Sequence, residues 1–282
     1  MAAVAVAGVA SAQVSITGAL GFGYTKDDDA KGYRITDGIV KFNAAEDLGG
    51  GMSLAASMNI DGKFGRSATL DSSGATANFG HDAALVFGAG DLTVTMGSVE
   101  SAADIMKANV SGVSVEKNFD ASAFNAAAAN VDLIMASYKL GNGITVHAAS
   151  AEAVDIGDAT SDTKVTKYAI DYAAGPLTAY FSSKQTTDAD GETTIVGSYD
   201  LGVAKIAVGR LTVGEEKTTV YSANVPVAAG LSVGAARAIN GDVKQTNYGA
   251  TYSLSKTATL YVGKTTSTEN GGSTRVKLVK AF

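Results

Sequence analysis

The sequence predicts an all-β chain that closes into a transmembrane, antiparallel, up-and-down β-barrel of about sixteen strands. Three observations carry that expectation. Apolar and polar residues alternate with period two along nearly the whole chain, tight and long connections take turns between the alternating segments, and sustained helical spacing is almost absent.

The chain begins with "AAVAVAGVA", an apolar run too short to span a bilayer as a helix, which needs about 20 residues. It leads into Ala10-Ser11-Ala12, the small-residue pattern of a secretory cleavage site. Residues 1–12 are therefore expected to be the remnant of a signal peptide and residues 13–282 the barrel, although no basic stretch precedes the apolar core. Export places the chain where disulfides form, yet it has no Cys, so covalent staples contribute nothing. Its 46% hydrophobic residues go with a mean hydropathy near zero, because apolar and polar positions are mixed rather than blocked.

The first strand, "VSITGALGFGYT", sets Val14, Ile16, Leu20, Phe22 and Tyr24 on one face and Ser15, Thr17, Gly21, Gly23 and Thr25 on the other. "MSLAASMNI", "DLTVTMGS", "TKYAIDYAA", "TTIVGSYDL", "TVYSANVPV" and "NYGATYSLS" repeat the pattern. Tight connections such as "EDLGGG", "AGD", "GNG" and "AAGP" alternate with longer, charged ones. Among the longer ones are 61–79, 99–131, "DIGDATSD", "TTDADGE", "GEEK" and "NGDVK". That alternation predicts short turns on one rim and long loops on the other. About sixteen strands enclose a lumen too wide for side chains to fill. The small polar face must then be the wet inner one, and the apolar face needs a dry solvent outside, which is lipid. Closure also pairs every backbone N–H and C=O within the sheet. The terminal "STRVKLVKAF" is the closing strand, with Val276, Leu278 and Phe282 toward lipid, Arg275 and Lys277 toward water, and Lys280 snorkelling at the rim.

Several function classes are excluded. A net charge of −6 without basic clusters argues against a nucleic-acid partner. The two histidines and absent cysteines offer no transition-metal set and call for no cofactor, so neither is expected. His81 and His147 are the candidates for a general base, but His147 shares the watery face with Thr145, which suits a lumen-lining residue better than catalysis. "GALGFG" lacks the G-x-G-x-x-G order and lies within a strand, so it is no nucleotide loop. No enzyme is expected.

Together, "ASAQ", "VSITGALGFGY", "IVKFNAAEDLGGGMSLAASMNI", "YGATYSLSKTATLYVG" and the terminal Phe282 resemble the general trimeric porins of Gram-negative outer membranes, nearest the betaproteobacterial type. The resemblance covers both ends well and the middle by pattern. It implies an outer-membrane homotrimer embedded in lipid and lipopolysaccharide, passing small hydrophilic solutes and ions by diffusion. It further implies that Phe282 is an assembly signal read by the barrel-assembly machinery, and that the third long loop folds into the lumen. Where the family carries Gly-Arg before that loop, this chain has Gly97-Ser98. A substrate-specific channel and an exported soluble β-sandwich or adhesin are the alternatives.

Such a pore is set by acidic groups facing basic ones at its narrowest section. Residues 99–131 are the candidate inward loop, bringing Glu100, Asp104, Glu116 and Asp120, with "SAADIMKA" suited to one or two helical turns. A solvated external loop is the plain alternative. Arg34 and Lys41 are the expected basic wall: a bulge at Asp37-Gly38 would put both on the lumenal face. Arg66, in the second long loop, is a further candidate, and Arg275 and Lys277 are expected to line the pore. Arg237 falls on the apolar parity, where a rim, a bulge or a subunit contact all remain open.

Overall fold

Period-two alternation becomes sixteen strands in the computed structural model, which describes residues 13–27, 31–61, 78–101, 104–113, 129–152, 164–269 and 271–282. In chain order they are β1 (Gln13–Asp27), β2 (Lys31–Gly49), β3 (Met52–Asp61), β4 (Asn78–Ala89), β5 (Leu92–Ser101), β6 (Ala129–Gly141), β7 (Ile144–Glu152) and β8 (Lys164–Ala174). The second half holds β9 (Leu177–Thr186), β10 (Glu192–Asp200), β11 (Lys205–Val213), β12 (Glu216–Ala228), β13 (Leu231–Asn240), β14 (Val243–Ser255), β15 (Ala258–Ser267) and β16 (Gly272–Ala281). Each strand pairs with its chain neighbours, and β1 pairs with β16 to close the barrel. No helix among the described residues is long and apolar enough to cross a membrane. The predicted signal segment lies outside the described residues.

The two faces divide as their chemistry requires. Val14, Ile16, Phe22, Ile134, Tyr168, Ile195, Tyr221, Tyr248 and Leu278 are exposed on the outer surface, while Thr25, Asn59, Thr194, Ser198, Thr218, Asn247, Arg275 and Lys277 are buried on the lumenal side. An apolar surface running around the whole girth far exceeds the few hundred Å² that a water-soluble monomer exposes. It fits lipid.

Closure runs from Ala19 opposite Ala281 to Asp27 opposite Ser273. The backbones of Gly18 and Phe282 exchange two hydrogen bonds of 3.0 Å each. A Cβ on Gly18 would stand 2.5 Å from the Phe282 ring, so glycine leaves the space the terminal aromatic covers. On the inner side Lys277 reaches over β1 to Asp37 on β2, at 3.1 and 3.0 Å from its two oxygens. Gly21 and Gly23 make that crossing possible. A Cβ at position 21 would meet the Asp37 carboxylate at 2.3 Å, and one at position 23 would meet the Lys277 Cβ at 2.7 Å.

Two local expectations are corrected. The bulge in β2 falls at Thr36, because Gly21 pairs with Asp37 and Phe22 with Ile35. The parity flip is the one the alternation demanded, displaced by a residue. The strict exchange of tight and long connections also fails late in the chain: "GEEK" and "NGDVK" extend the strands into two-residue turns, Gly214–Glu215 and Gly241–Asp242. Gly214 (φ 56°) and Gly241 (φ 54°) supply the left-handed backbone such hairpins need. The long-loop rim is therefore low beside β11 to β14.

Candidate permeation pathway

The chain after β5 enters the barrel. Asp104–Ala108 forms a short 3₁₀ turn, and residues up to Val113 follow it along the inside of β8 to β14. The wall beneath is dry. Ile105, only 3% exposed, and Ala108 pack against Ala169, Tyr180, Val196, Leu211, Val220, Ala236 and Ala238, all on the lumenal parity. Contact this close needs missing side chains. A Cβ on Gly209 would lie 2.7 Å from that of Ala108, one on Gly234 would lie 2.0 Å from the Ser111 carbonyl oxygen, and one on Gly249 would lie 3.0 Å from Val113. Glycines on three strands thus form a track in which the segment rests.

Polar contacts fix its backbone. The Ser222 hydroxyl donates to the Ala108 carbonyl and accepts from the Val110 N–H at 2.9 Å, and the Asn224 amide donates to the Ser111 carbonyl at 2.6 Å. Asn109 turns the chain by accepting from the Ser111 hydroxyl at 2.6 Å.

The charges pair with the wall rather than standing free. Asp104 accepts from Lys167 Nζ at 2.7 Å and from the Ser182 hydroxyl at 2.6 Å. Burial pushes this loop carboxyl up, but the hydrogen bonds from Lys167 and Ser182 and the lysine charge outweigh it and hold the pKa below its ordinary value. Lys107 lies 3.6 Å from Asp171 and 4.4 Å from the Tyr180 ring centroid. His147 Nε2 is 3.0 Å from the other Asp171 oxygen, and its Nδ1 is 2.8 Å from the Ser137 hydroxyl.

Of the residues singled out in the sequence, Asp104 is in the inward segment, and Lys41 is exposed in register with Thr17 and Asn59 on the lumenal side. Arg34 pairs with Gly23, and Glu100 is corrected from the inward loop to strand β5, where cross-strand pairing with Asn130 extends the sheet to Ser101; the side chains of both lie outside what the structure describes. Arg66, Glu116 and Asp120 lie outside the described residues. Arg275 and Lys277 are on the inner wall but covered, at 2% and 5% exposure, with Arg275 Nε donating to Thr25 at 3.1 Å. Ser98 shares its register face with Met96 and Ile134, which are exposed on the outer surface.

Sequence reading missed Lys107 within the inward loop, Lys167, Asp171 and Ser182 as the loop's partners on the wall, and the glycine track. One signal was available. Val196, Leu211 and Val220 put large apolar groups on the watery parity of three consecutive strands, which marks a covered patch.

A closed barrel, apolar outside and polar inside, with a loop seated against its inner wall, defines a transmembrane channel. The comparisons agree. The model of the Gram-negative porin family matches residues 1–272. A multiple mutant of the Rh. blastica porin superposes with a TM-score of 0.73 at 13% identity, covering 96% of this chain and 100% of that one. A loop deletion mutant of OmpT, an outer membrane protein of Vibrio cholerae, gives 0.72 at 11% identity with 96% and 99% covered. OmpT in a trimer form gives 0.70 at 11% identity with 96% and 100% covered. No curated protein matches. The chain belongs to the Gram-negative porins and forms a channel in the outer membrane.

Proposed function

We propose that this porin is a general diffusion channel for small hydrophilic solutes and ions, that it works as a homotrimer, and that it is not an enzyme. The carrying observation is the inward segment: apolar packing, a glycine track and charged anchors all hold residues 104–113 within the lumen, where they narrow a passage that stays wet. The trimer rests on the porin relatives, of which one is described in a trimer form. The trio Ser137, His147 and Asp171 is read as part of the charged lumen wall. Its hydroxyl meets Nδ1 and its carboxylate Nε2, the reverse of a Ser-His-Asp triad, and Asp171 is shared with Lys107.

The selectivity region combines Asp104, Glu116 and Asp120 with Arg34, Lys41 and Arg66, and leaves out Glu100, whose position on β5 shares the outward register of Ser98. Local pairing such as Asp104 with Lys167 favours weak selectivity, because a compensated charge adds little field across the passage. Residues 1–12 are the signal remnant and residues 13–282 the channel. Phe282 serves the barrel-assembly machinery, a role supported by its hydrogen bonds to Gly18 at the closing seam. Lipid and lipopolysaccharide surround the apolar girth. Planar-bilayer recording tests the reading: stepwise ohmic conductance, with openings in threes, is expected. Protein that needs no detergent and leaves the bilayer silent would refute it.

A further inference from the structure

Three cations stand where lipid should be. Arg210, Arg237 and Lys264 are exposed, and each shares the outward parity of its strand, with Val208 on β11, Val233 on β13 and Val262 on β15. Each lies three positions before the end of its strand at the long-loop rim, at Val213, Asn240 and Ser267. That offset is about 10 Å along a tilted strand, a depth at the boundary between headgroups and acyl chains. The strands alternate, so the cations are spaced about 10 Å apart around the barrel. None of the three has an ion-pair partner among the described residues. The rim above β11 to β14 is built of two-residue turns.

Their surroundings suit an anionic head and an apolar tail. By register Arg237 lies between Tyr221 and Thr246, and Lys264 between Tyr248 and Thr274, so hydroxyl groups flank both cations. Toward the membrane middle the surface sinks into an apolar groove of about 590 Å³, lined by Ala223, Val225, Val233, Ala235, Ala250 and Val262, with Lys264 and Thr274 at its upper end. The depression exists because small side chains at 223, 235 and 250 stand beside the exposed rings of Tyr221, Tyr248 and Tyr252.

We propose that this face of β12 to β15 binds a phosphate-bearing lipid of the leaflet at the long-loop rim, with the phosphate between Arg237 and Lys264 and one acyl chain in the groove. Arg210 extends the same cationic belt. Charge complementarity with a phosphate, and the apolar groove beside the cations, favour a lipid over a second copy of the barrel, which would bring no chain to fill the groove. By register the outward acidic positions near that rim include Glu100, Asp132 and Glu152, all on β5 to β7 and away from the groove. Cations at this height need phosphates, and a lipid supplies them together with the chain that fills the groove.

The test uses the full-length porin in an uncharged detergent, titrated with diphosphorylated lipid A and followed by native mass spectrometry. The parallel probes are a neutral diacyl lipid and glucosamine phosphate without chains. The parent should retain lipid A and neither of the other two. An Arg237→Gln/Lys264→Gln pair should weaken retention about 25-fold, a factor of about 5 per cation. Ala235→Trp, which fills the groove and keeps both cations, should also weaken it. Lys256→Gln, in the turn at the opposite rim, should leave it unchanged, with heat-modifiable migration reporting that every variant is folded. The proposal is overturned by equal retention in parent and double variant, by equal loss in Lys256→Gln, or by equal retention of the neutral lipid. Retention of glucosamine phosphate alone would show a free-anion site instead. Disulfide crosslinks between copies carrying Val262→Cys would assign the face to a subunit contact.

Discussion

Replacing Ile105 by Ala probes the seat of the inward segment directly. The side chain is 3% exposed and packs against Val196, Leu211 and Val220, so three carbons leave a dry patch. At about 0.8 kcal/mol per buried carbon the docked state loses about 2.4 kcal/mol. Because each 1.4 kcal/mol is a factor of ten, the population of undocked segment should rise about 50-fold. The barrel should persist, since the cross-strand ladder does not involve this side chain. Single-channel recording reads the effect as more frequent, larger and noisier openings, and liposome swelling reads it as faster entry of larger neutral sugars. Gly209→Val should act in the same direction from the wall side, because its Cβ alone would stand 2.7 Å from that of Ala108. Parent-like noise and swelling in both variants would show that the segment is not held by this packing.

Acid should loosen the same segment late. Asp104 has a depressed pKa, so its anchoring is complete above the ordinary carboxylate value near 4 and is lost only as pH falls through the lowered one; conductance should be steady from pH 7 to about 4 and change below, and Asp104→Asn should remove that transition. Asp37→Ala strands the covered Lys277 ammonium and should destabilise the barrel by about 3 kcal/mol, read as a lower temperature for heat-modified migration. Lys41→Ala removes an exposed lumenal cation and should shift the reversal potential in a salt gradient toward cations; an unchanged potential would put Lys41 outside the conducting path. Deleting Phe282, or Gly18→Val beneath its ring, should lower the yield of folded barrel in the outer membrane, and full yield from both would dismiss the closing role of that pair.

Strand identity, the outward face and the closing role of the last segment were legible in the chain itself, because a two-residue period is a local property. Val276, Leu278 and Phe282 declare their side without reference to any partner, and the flip between Ile35 and Val40 declares a bulge nearby. Which residue bulges is decided by pairing with β1, and the register chose Thr36. The inward loop was foreseeable as a long connection, but its resting place was not. Asp104 finds Lys167 and Ser182 at separations of 63 and 78 residues, and Asp37 finds Lys277 across 240. Those encounters exist only after the cylinder closes and brings distant strands around one lumen. Val196, Leu211 and Val220 look misplaced on a watery face until Ile105 and Ala108 cover them, and Gly209 and Gly234 look like weak points in strands until the segment fills their space. Local alternation determined the barrel and its two solvents. Only contact between elements far apart in the chain decided where the passage narrows and which charges are left to act on what passes.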